Sequence, residues 1–357
     1  FFMVKVGMTG VGTVSQMMPL PILSGLRDMY EITAVSDVSP SQLKHIADTY
    51  QAKAYADPYE LVKDPNVDAV FICSPDQYHA DYALAAVEAG KHVFVEKPVT
   101  LCIEDLEKLI AAEKAHPGQA CMVGYMRRYS QGFLKCKELL AADDRKIEYM
   151  RFRDIILEGD FFMGQTRLPY LCSDIPDEAK VDGSARRKEQ LIRALGPDST
   201  EQQRITYVML TGLGSHTLSA VRELVGLPVE IESVSVQGEH VIIVFRYNDF
   251  LAVYEILNDQ DVVQFDASIE IYQHDRRMKI KYETPYLRYQ PQSFEVIEST
   301  KEETKTTVYG PDYRDPFQDE VKYFYDCIVN GTKPKSDFED AMADMVLFRD
   351  ICKKIKA

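Results

Sequence analysis

The sequence predicts an α/β protein in which a doubly wound parallel sheet is followed by a second α/β domain with an open, mostly antiparallel sheet. The chain has 357 residues, more than one hydrophobic core usually holds, so two domains are expected. In the first third, short continuous apolar runs alternate with helical patterns. Later strand-like runs follow one another directly and often alternate polar with apolar residues, which is typical of antiparallel sheets.

The first domain is expected to span residues 3–125. Its strands are continuous apolar runs, as a parallel sheet covered on both faces requires. The predicted strands are residues 4–8, 32–36, 69–73, 93–95 and 120–123, and the predicted helices run from the glycine turn to about 29, over 41–50, up to Gly90 and over 104–116. Pro19 and Pro21 fall inside the first helical stretch, which we therefore expect to be kinked or to start late.

The second domain is expected to span residues 126–357. Its predicted strands are residues 147–157, 232–237, 241–247, 251–257, 267–273 and 278–282. Helical patterns over 317–329 and 338–355 close the chain, and we expect them to pack back on the first domain. An insertion occupies about 159–206.

The composition limits the classes of partner. A net charge of −15, from 41 basic and 56 acidic residues, argues against nucleic acid or an anionic membrane. No apolar run approaches the roughly 18 residues that span a bilayer, and no basic-then-apolar leader is present. The seven cysteines are scattered singly, so we expect a reducing cytoplasm, no disulfide framework and no metal site.

A glycine-rich turn follows the first predicted strand and opens a helix, the context of a Rossmann dinucleotide fingerprint. Gly10 permits the tight turn, and Gly12 lets the backbone approach a pyrophosphate at the helix start. Ser15 replaces the third glycine and is still small enough for close packing. Thr13 and Val14 open the helix and are expected to contact the cofactor. By itself the pattern also suits a plain turn.

Asp37 ends the second predicted strand, 25 residues after Gly12. A carboxylate at this place can accept hydrogen bonds from the adenosine ribose hydroxyls and would repel a 2′-phosphate. The sequence therefore favours NAD over NADP as the cofactor. The alternative is an Asp that merely forms a turn before Ser39 and Pro40.

The stretch FVEKPVT contains a lysine at the end of an apolar run. Lys97 stands between Glu96 and Pro98, although lysine is among the residues least often buried. Considered alone, the pattern indicates a solvated strand end with a turn-forming proline.

Several segments resemble one family, that of glucose–fructose oxidoreductase, inositol dehydrogenase and the rhizopine-catabolism dehydrogenases (Gfo/Idh/MocA). Glu-Lys-Pro in combination with Gly-Ser-His is more specific than the glycine turn. Apart from about 159–206, the resemblance extends over nearly the whole chain and is carried by residues 64–100, 122–133, 212–224 and 315–334. It implies a Rossmann domain followed by an α/β domain whose open sheet joins subunits into a homo-oligomer.

The resemblance also implies catalytic roles for Lys97 and His216. Lys97 would lie beside the nicotinamide and the reacting carbinol, hold the substrate oxygen and stabilise a developing alkoxide; a cis Lys97–Pro98 peptide is plausible. His216, which follows Gly214 and Ser215 at a helix start, would accept the hydroxyl proton. A helix-capping or core histidine is the alternative for His216.

Further site residues follow from the resemblance. Ser74, Pro75 and His79 are expected to border the nicotinamide ribose, and Glu96 to contact its hydroxyls. Two arginines are expected near the ligands, Arg127 at the cofactor and Arg128 at the substrate, with a surface ion pair as the alternative for both.

One position departs from the family pattern. Many members carry an Asp four residues before the catalytic His, where this chain has Gly212. Asp154 or Asp160 would supply the missing carboxylate to the substrate, or else the substrate is held in a different way.

The expected function is NAD-dependent oxidation of a secondary ring hydroxyl of a sugar or glycoside, with the 3-position as a candidate. One alternative is a redox-neutral enzyme of the same family, in which transient 3-oxidation permits glycoside elimination. A third hypothesis is a non-enzymatic nucleotide sensor, against which the presence of Lys97 and His216 argues.

The insertion leads into the helix of His216 and contains aromatic residues. Residues 160–171 are expected to wall the substrate pocket, with Phe161 and Tyr170 covering an aglycone. Residues 184–195 could form one helix. A solvated surface insertion or an oligomer contact is the alternative.

Overall fold

The computed structural model describes residues 2–156, 160–259 and 264–356, which form two compact units. Unit 1 comprises the described residues up to Gly124, together with Leu168–Pro197 and Glu320–Val346. Unit 2 comprises Tyr125–Arg167, Asp198–Asp319 and the described residues from Leu347. The division into domains of 3–125 and 126–357 stays a prediction; unit 1 takes in two later segments of the chain.

A six-stranded sheet forms the centre of unit 1. All of its neighbouring strands are parallel, and their order is β3-β2-β1-β4-β5-β6, with bounds β1 (Val4–Thr9), β2 (Tyr30–Ser36), β3 (Lys53–Tyr55), β4 (Ala69–Ile72), β5 (His92–Glu96) and β6 (Cys121–Gly124). The strand order reverses between β1 and β4, so their carboxyl ends flank the crevice in which such sheets bind ligands. The predicted doubly wound sheet is confirmed.

Helices cover both units. In chain order they are α1 (Thr13–Met17), α2 (Pro19–Gly25), α3 (Pro40–Tyr50), α4 (Pro58–Val62), α5 (His79–Glu88), α6 (Ile103–Ala115), α7 (Gln131–Ala141), α8 (Asp160–Met163), α9 (Asp177–Leu195), α10 (Glu201–Met209), α11 (Ser215–Val225), α12 (Pro316–Asn330) and α13 (Phe338–Lys353). The chain breaks at Met18, between α1 and α2, because Pro19 has no amide hydrogen to donate to the preceding turn. The expected kink is confirmed.

Aromatic packing holds the core of unit 1 together. The rings of Phe71 on β4 and Phe94 on β5 stack with centroids 4.7 Å apart. Phe324 of α12 meets the two rings at 5.7 and 5.6 Å, and all three side chains are almost fully buried. Burial on both sides explains why these strands are continuously apolar.

Unit 2 is built on an eight-stranded sheet. Its order is β14-β13-β12-β11-β7-β10-β9-β8, and only the β7–β10 pair is parallel among its described pairings, which confirms a mostly antiparallel sheet. The bounds are β7 (Ile147–Ile156), β8 (Glu230–Gln237), β9 (His240–Arg246), β10 (Leu251–Asn258), β11 (Asp266–Gln273), β12 (Arg276–Tyr282), β13 (Gln292–Ser299) and β14 (Thr304–Asp312).

Several elements differ from the sequence-based expectation. Strands β3, β13 and β14 and helices α7 and α10 were not predicted, because their exposed or mixed sequences carry a weak periodic signal. The helix expected over 184–195 begins earlier, after Pro176, as α9. Residue 157, the predicted end of β7, lies outside the described residues. No helix in the described ranges is long and apolar enough to cross a membrane.

Candidate functional site

The glycine turn of unit 1 has the geometry of a dinucleotide loop. Gly10 has a φ of +81°, and a Cβ there would lie 2.5 Å from the Ser74 backbone nitrogen, so only glycine suits the position. A Cβ at Gly12 would meet no described atom within 4 Å. The buried Ser15 hydroxyl donates to the Gly10 carbonyl. The Ser15 hydrogen bond therefore stabilises the turn internally, whereas the backbone at Gly12 has space beside it for a ligand.

Asp37 is bonded to the same loop. One carboxylate oxygen accepts from the Val11 amide at 2.8 Å, and the other accepts from the Ser39 amide at 2.9 Å. Gln42 adds a longer contact of 3.4 Å. Asp37 is only partly buried, and a carboxylate offers about four acceptor positions, so capacity remains for ribose hydroxyls.

Two buried hydroxyl groups lie at the carboxyl ends of β1 and β4. Within the described part of the chain, Oγ1 of Thr9 and Oγ of Ser74 have no hydrogen-bond partner. Buried polar atoms normally have one. Thr13 and Val14, which open α1, are partly exposed. Together with the open face of Gly12, these groups fit a bound dinucleotide.

Lys97 directly follows β5 and is partly buried. Its peptide bond to Pro98 is cis, as the sequence suggested. Glu96, the last residue of β5, is buried, and burial raises the pKa of its carboxyl while the Lys97 charge opposes the shift. A lysine and a buried carboxyl with a raised pKa thus stand side by side at the carboxyl end of the sheet.

His79 connects the segment that follows β5, which contains Lys97 and Pro98 and is called the lysine loop, to the end of β4. Its ring nitrogens lie 2.7 Å from the Pro98 carbonyl oxygen and 2.6 Å from the Ser74 carbonyl oxygen. Burial lowers the pKa of His79, and the two carbonyl groups oppose that shift. Pro75, the exposed residue after Ser74, precedes a short 3-10 turn at Asp76–Tyr78.

The catalytic histidine predicted from the sequence belongs to unit 2. His216 is the second residue of α11 and is partly exposed. A π-helical turn, Leu210–Gly214, leads into α11; such turns are frequent at functional sites. A Cβ at Gly212 would meet nothing within 4 Å in the described structure, so a side chain at this position would have room.

A buried ion-pair network in unit 2 includes Thr217, the residue that follows His216 in the chain. Asp154 is fully buried and accepts from Arg127 at 2.6 Å and from the Tyr254 hydroxyl at 2.7 Å. Arg127 also donates to the hydroxyl of Thr217, and its guanidinium lies 4.7 Å from the Tyr282 ring centroid. The ion pair is thus internal rather than on the surface. Whether Arg127 contacts cofactor, or Asp154 substrate, stays a prediction.

Arg128 is also held in an internal ion pair. Its side chain is buried against Glu223, which accepts Lys137 on its other oxygen at 2.8 Å. A direct contact between Arg128 and substrate stays a prediction.

The insertion contributes to both units. Asp160 begins α8, and its side chain lies outside the described residues, as do residues 157–159. Phe161 is 45% exposed, whereas Phe162 and Met163 are buried. Tyr170 belongs to unit 1, where its backbone bonds to Gln16 and its ring stacks on His45 with centroids 3.8 Å apart. Its assignment to the substrate stays a prediction.

Sequence reasoning missed four residues that hold these loops in place. Gln16 and Gln42 are buried glutamines bonded to the glycine loop, and Thr217 and Tyr254 complete the network of unit 2. The available signal for Gln16 and Gln42 was a polar residue placed among the apolar residues of a helix. The other two pair with residues far away in sequence and left no local pattern.

The chain is similar to known oxidoreductases. Residues 4–125 match the family model described as "Oxidoreductase family, NAD-binding Rossmann fold". An inositol 2-dehydrogenase/D-chiro-inositol 3-dehydrogenase of Shouchella clausii is 38% identical over 142 residues, which are 38% of this chain and 40% of that protein. A myo-inositol 2-dehydrogenase of Thermotoga maritima is 40% identical over 106 residues, 29% and 31% of the two chains. The chain thus matches two fifths or less of the length of these relatives.

A solved structure resembles the fold over almost the whole chain. It is KijD10, a 3-ketoreductase from Actinomadura kijaniata, in complex with NADP and TDP-benzene. The TM-score is 0.73 with 16% sequence identity, and the match covers 98% of this chain and 97% of that one. At this identity the likeness shows the fold alone. Residues 4–125 are thus similar to the Gfo/Idh/MocA oxidoreductases, whose family model describes an NAD-binding Rossmann fold.

Proposed function

We propose that this protein is an NAD-dependent dehydrogenase that oxidises a secondary ring hydroxyl of a sugar or glycoside. The observation that carries the proposal is the connection between the lysine loop, which follows β5, and the glycine loop, which follows β1. His79 bridges the carbonyls of Pro98 and Ser74, and the Ser74 backbone packs against Gly10. A lysine at a strand end, connected to a dinucleotide loop, would supply a donor to the oxygen of an alcohol that is oxidised beside a nicotinamide cofactor.

Residues of unit 1 would hold the cofactor. Gly10, Gly12, Thr13 and Val14 would bind the pyrophosphate, and Asp37 the adenosine ribose. The nicotinamide ribose would be bordered by Ser74, Pro75, His79 and Glu96. Arg127 would act near the same cofactor, although its described contacts are with Asp154 and Thr217. When bound, NAD supplies the hydride acceptor.

Lys97 would hold the substrate oxygen. Its ammonium group can donate a charge-assisted hydrogen bond and stabilise negative charge that develops as the hydroxyl is oxidised. Its position at the carboxyl end of β5 is where open sheets bind ligands. The neighbouring Glu96, whose pKa is raised by burial, would alter the local charge little when protonated.

His216 would accept the hydroxyl proton, since imidazole titrates near neutral pH. The Arg127–Asp154 pair would position it by fixing Thr217, the next residue, through a hydrogen bond. In this view Asp154 stabilises the helix start rather than the substrate. Arg128, Asp160 and Tyr170 are retained as proposed substrate residues.

The names of similar proteins support the substrate class. Relatives that share the amino-terminal fold are named inositol dehydrogenases, and the solved structure with the same fold is a 3-ketoreductase. Both names refer to chemistry at a secondary carbon bearing oxygen, which is the chemistry proposed for Lys97 and His216.

We also propose a cytoplasmic homo-oligomer formed through the sheet of unit 2. Arg151 and Lys279 both pair with Glu270 across β7, β11 and β12, so that face carries charged side chains held in ion pairs. Light scattering after gel filtration tests this assembly. A monomer at all concentrations would contradict it.

The test of function is a substrate panel. Absorbance of the reduced cofactor is followed with free sugars, inositols and glycosides, and the spectrum of the protein as purified is recorded. Net NADH formation is expected with at least one substrate. Aglycone release without net NADH would instead establish the redox-neutral alternative. Failure to bind NAD would contradict both.

A further inference from the structure

A segment of the insertion is fastened to the cofactor loop. We call residues 170–174 the strap. The side-chain amide of Gln16 donates to the carbonyls of Val11 and Tyr170, each at 2.8 Å, and accepts from the Tyr170 amide at 2.7 Å. Gln16 is buried, so the strap backbone is bonded directly to the helix that opens after Gly12.

A second buried glutamine repeats the connection. Gln42 donates to the Val11 carbonyl at 3.0 Å and accepts from the Cys172 amide at 3.4 Å. The Tyr170 ring lies on His45, one turn further along α3. The strap is therefore bound to both α1 and α3.

The strap ends in a carboxylate at the start of α3. Asp174 accepts from the Ser39 hydroxyl and from the Ser41 backbone amide, the latter at 2.9 Å. These hydrogen bonds lower the pKa of Asp174 to about 2, so the group is ionised at neutral pH. A negative charge also suits the positive end of a helix.

The position of this carboxylate bears on the choice between NAD and NADP. If Asp37 accepts from the adenosine ribose, the ribose 2′ position faces Asp37 and the residues that follow it. A 2′-phosphate would need donors there, and the Ser39 hydroxyl and Ser41 amide are the donors that Asp174 already uses. The solved structure of the same fold holds NADP, so the fold itself does not exclude the phosphate.

We propose that Asp174, carried by the strap, is a second determinant that selects NAD against NADP, in addition to Asp37. It occupies the donors that a 2′-phosphate would use and adds a like charge beside it. The inference rests on the proposed use of NAD. It assigns to the insertion a role in cofactor choice that the family resemblance, which does not cover the insertion, does not supply.

The test measures dissociation constants for NAD and NADP by calorimetry, with Asp37→Ala as a reference. Asp174→Ala removes both charge and occupancy, and we expect it to tighten NADP binding roughly tenfold, as one like charge at short range implies, while NAD binding changes less than about threefold. Asp174→Asn removes the charge alone, so a smaller gain is expected. The matched control is Asp177→Asn, a nearby exposed acid paired only with Lys180 among the described contacts, which should change neither constant.

A further variant separates charge from a loosened strap. Tyr170→Ala removes the stacking on His45 and leaves the charges in place. It should therefore weaken the binding of NAD and NADP equally and keep the ratio of their dissociation constants. The inference would be overturned if the ratio of the NADP and NAD dissociation constants in Asp174→Ala stayed within twofold of the parent's. It would also be overturned if Tyr170→Ala changed this ratio as much as Asp174→Ala does. NAD binding with an unchanged ratio would leave the proposed function standing, whereas a parent that does not bind NAD would contradict both.

Discussion

The glycine-loop region of unit 1 and the Arg127–Asp154 ion pair of unit 2 treat polar groups in opposite ways. Within the described structure, the Thr9 and Ser74 hydroxyls are buried without protein partners, and Gly12 faces open space. In unit 2, Asp154 and Arg127 are buried and bonded on several sides. The first region has the character of a surface prepared for a ligand, and the second that of a scaffold that fixes the orientation of one helix.

This difference separates binding from positioning. Unsatisfied buried groups cost stability unless a ligand bonds to them. A fully paired network instead gains rigidity but has little remaining capacity to bind. We therefore expect substitutions in the first region to change ligand affinity or turnover, and substitutions of the buried network to change folding stability as well.

The largest expected effect is on the stability of unit 2. Among the described contacts, Arg127→Met leaves Asp154 as a buried charge with one hydrogen bond, from Tyr254, and such a loss costs about 3–5 kcal/mol. Differential scanning calorimetry would measure it. Arg151→Met is the control, because Arg151 is partly exposed and Glu270 keeps its ion pairs with Arg277 and Lys279, so a loss of about 0–1 kcal/mol is expected. Equal effects of the two variants would mean that the network has no special structural role.

The next effect concerns Lys97. Lys97→Met should lower turnover by roughly 10² or more and leave the NAD dissociation constant nearly unchanged, because it removes an interaction realised in the transition state. Stopped-flow kinetics and calorimetry measure the two quantities, with Lys97→Arg retaining the charge but not the compact ammonium. Turnover within about twofold of the parent would rule out the assignment.

His216 should show a comparable loss with a different pH dependence. His216→Ala removes the proposed proton acceptor, so turnover should fall by about 10² and recover in part at high pH, where hydroxide replaces the base. The pH–rate profile is compared with that of His240→Ala, an exposed histidine on β9. A profile that matches the parent would show that His216 is not the acceptor.

The same contrast explains what could be predicted from the sequence. The parallel sheet and glycine loop were predictable because continuous apolar strands and a G-x-G turn are local patterns that burial and backbone geometry impose. The pairing of Arg127 with Asp154 and the strap contacts of Gln16 were not predictable, since they join residues 27 and 154 positions apart. Such contacts depend on tertiary packing, to which single residues give no periodic signal.

The smallest expected effect would refine the comparison at Gly212, where the described structure leaves room near His216. A Cβ at this position meets nothing within 4 Å, so Gly212→Asp should fold normally and restore the carboxylate that resembling proteins carry four residues before the histidine. If a hydroxyl of the substrate is bound there, efficiency with a free polyol should rise about tenfold, since a hydrogen bond to a charged group contributes about 1.5 kcal/mol at the low end of its range. Steady-state kinetics with inositol and a glycoside would measure the change, and Gly212→Ala controls for the added Cβ. A gain in Gly212→Ala equal to that in Gly212→Asp would assign the effect to helix propensity instead, and an unchanged pair would show that the substrate hydroxyls are held elsewhere.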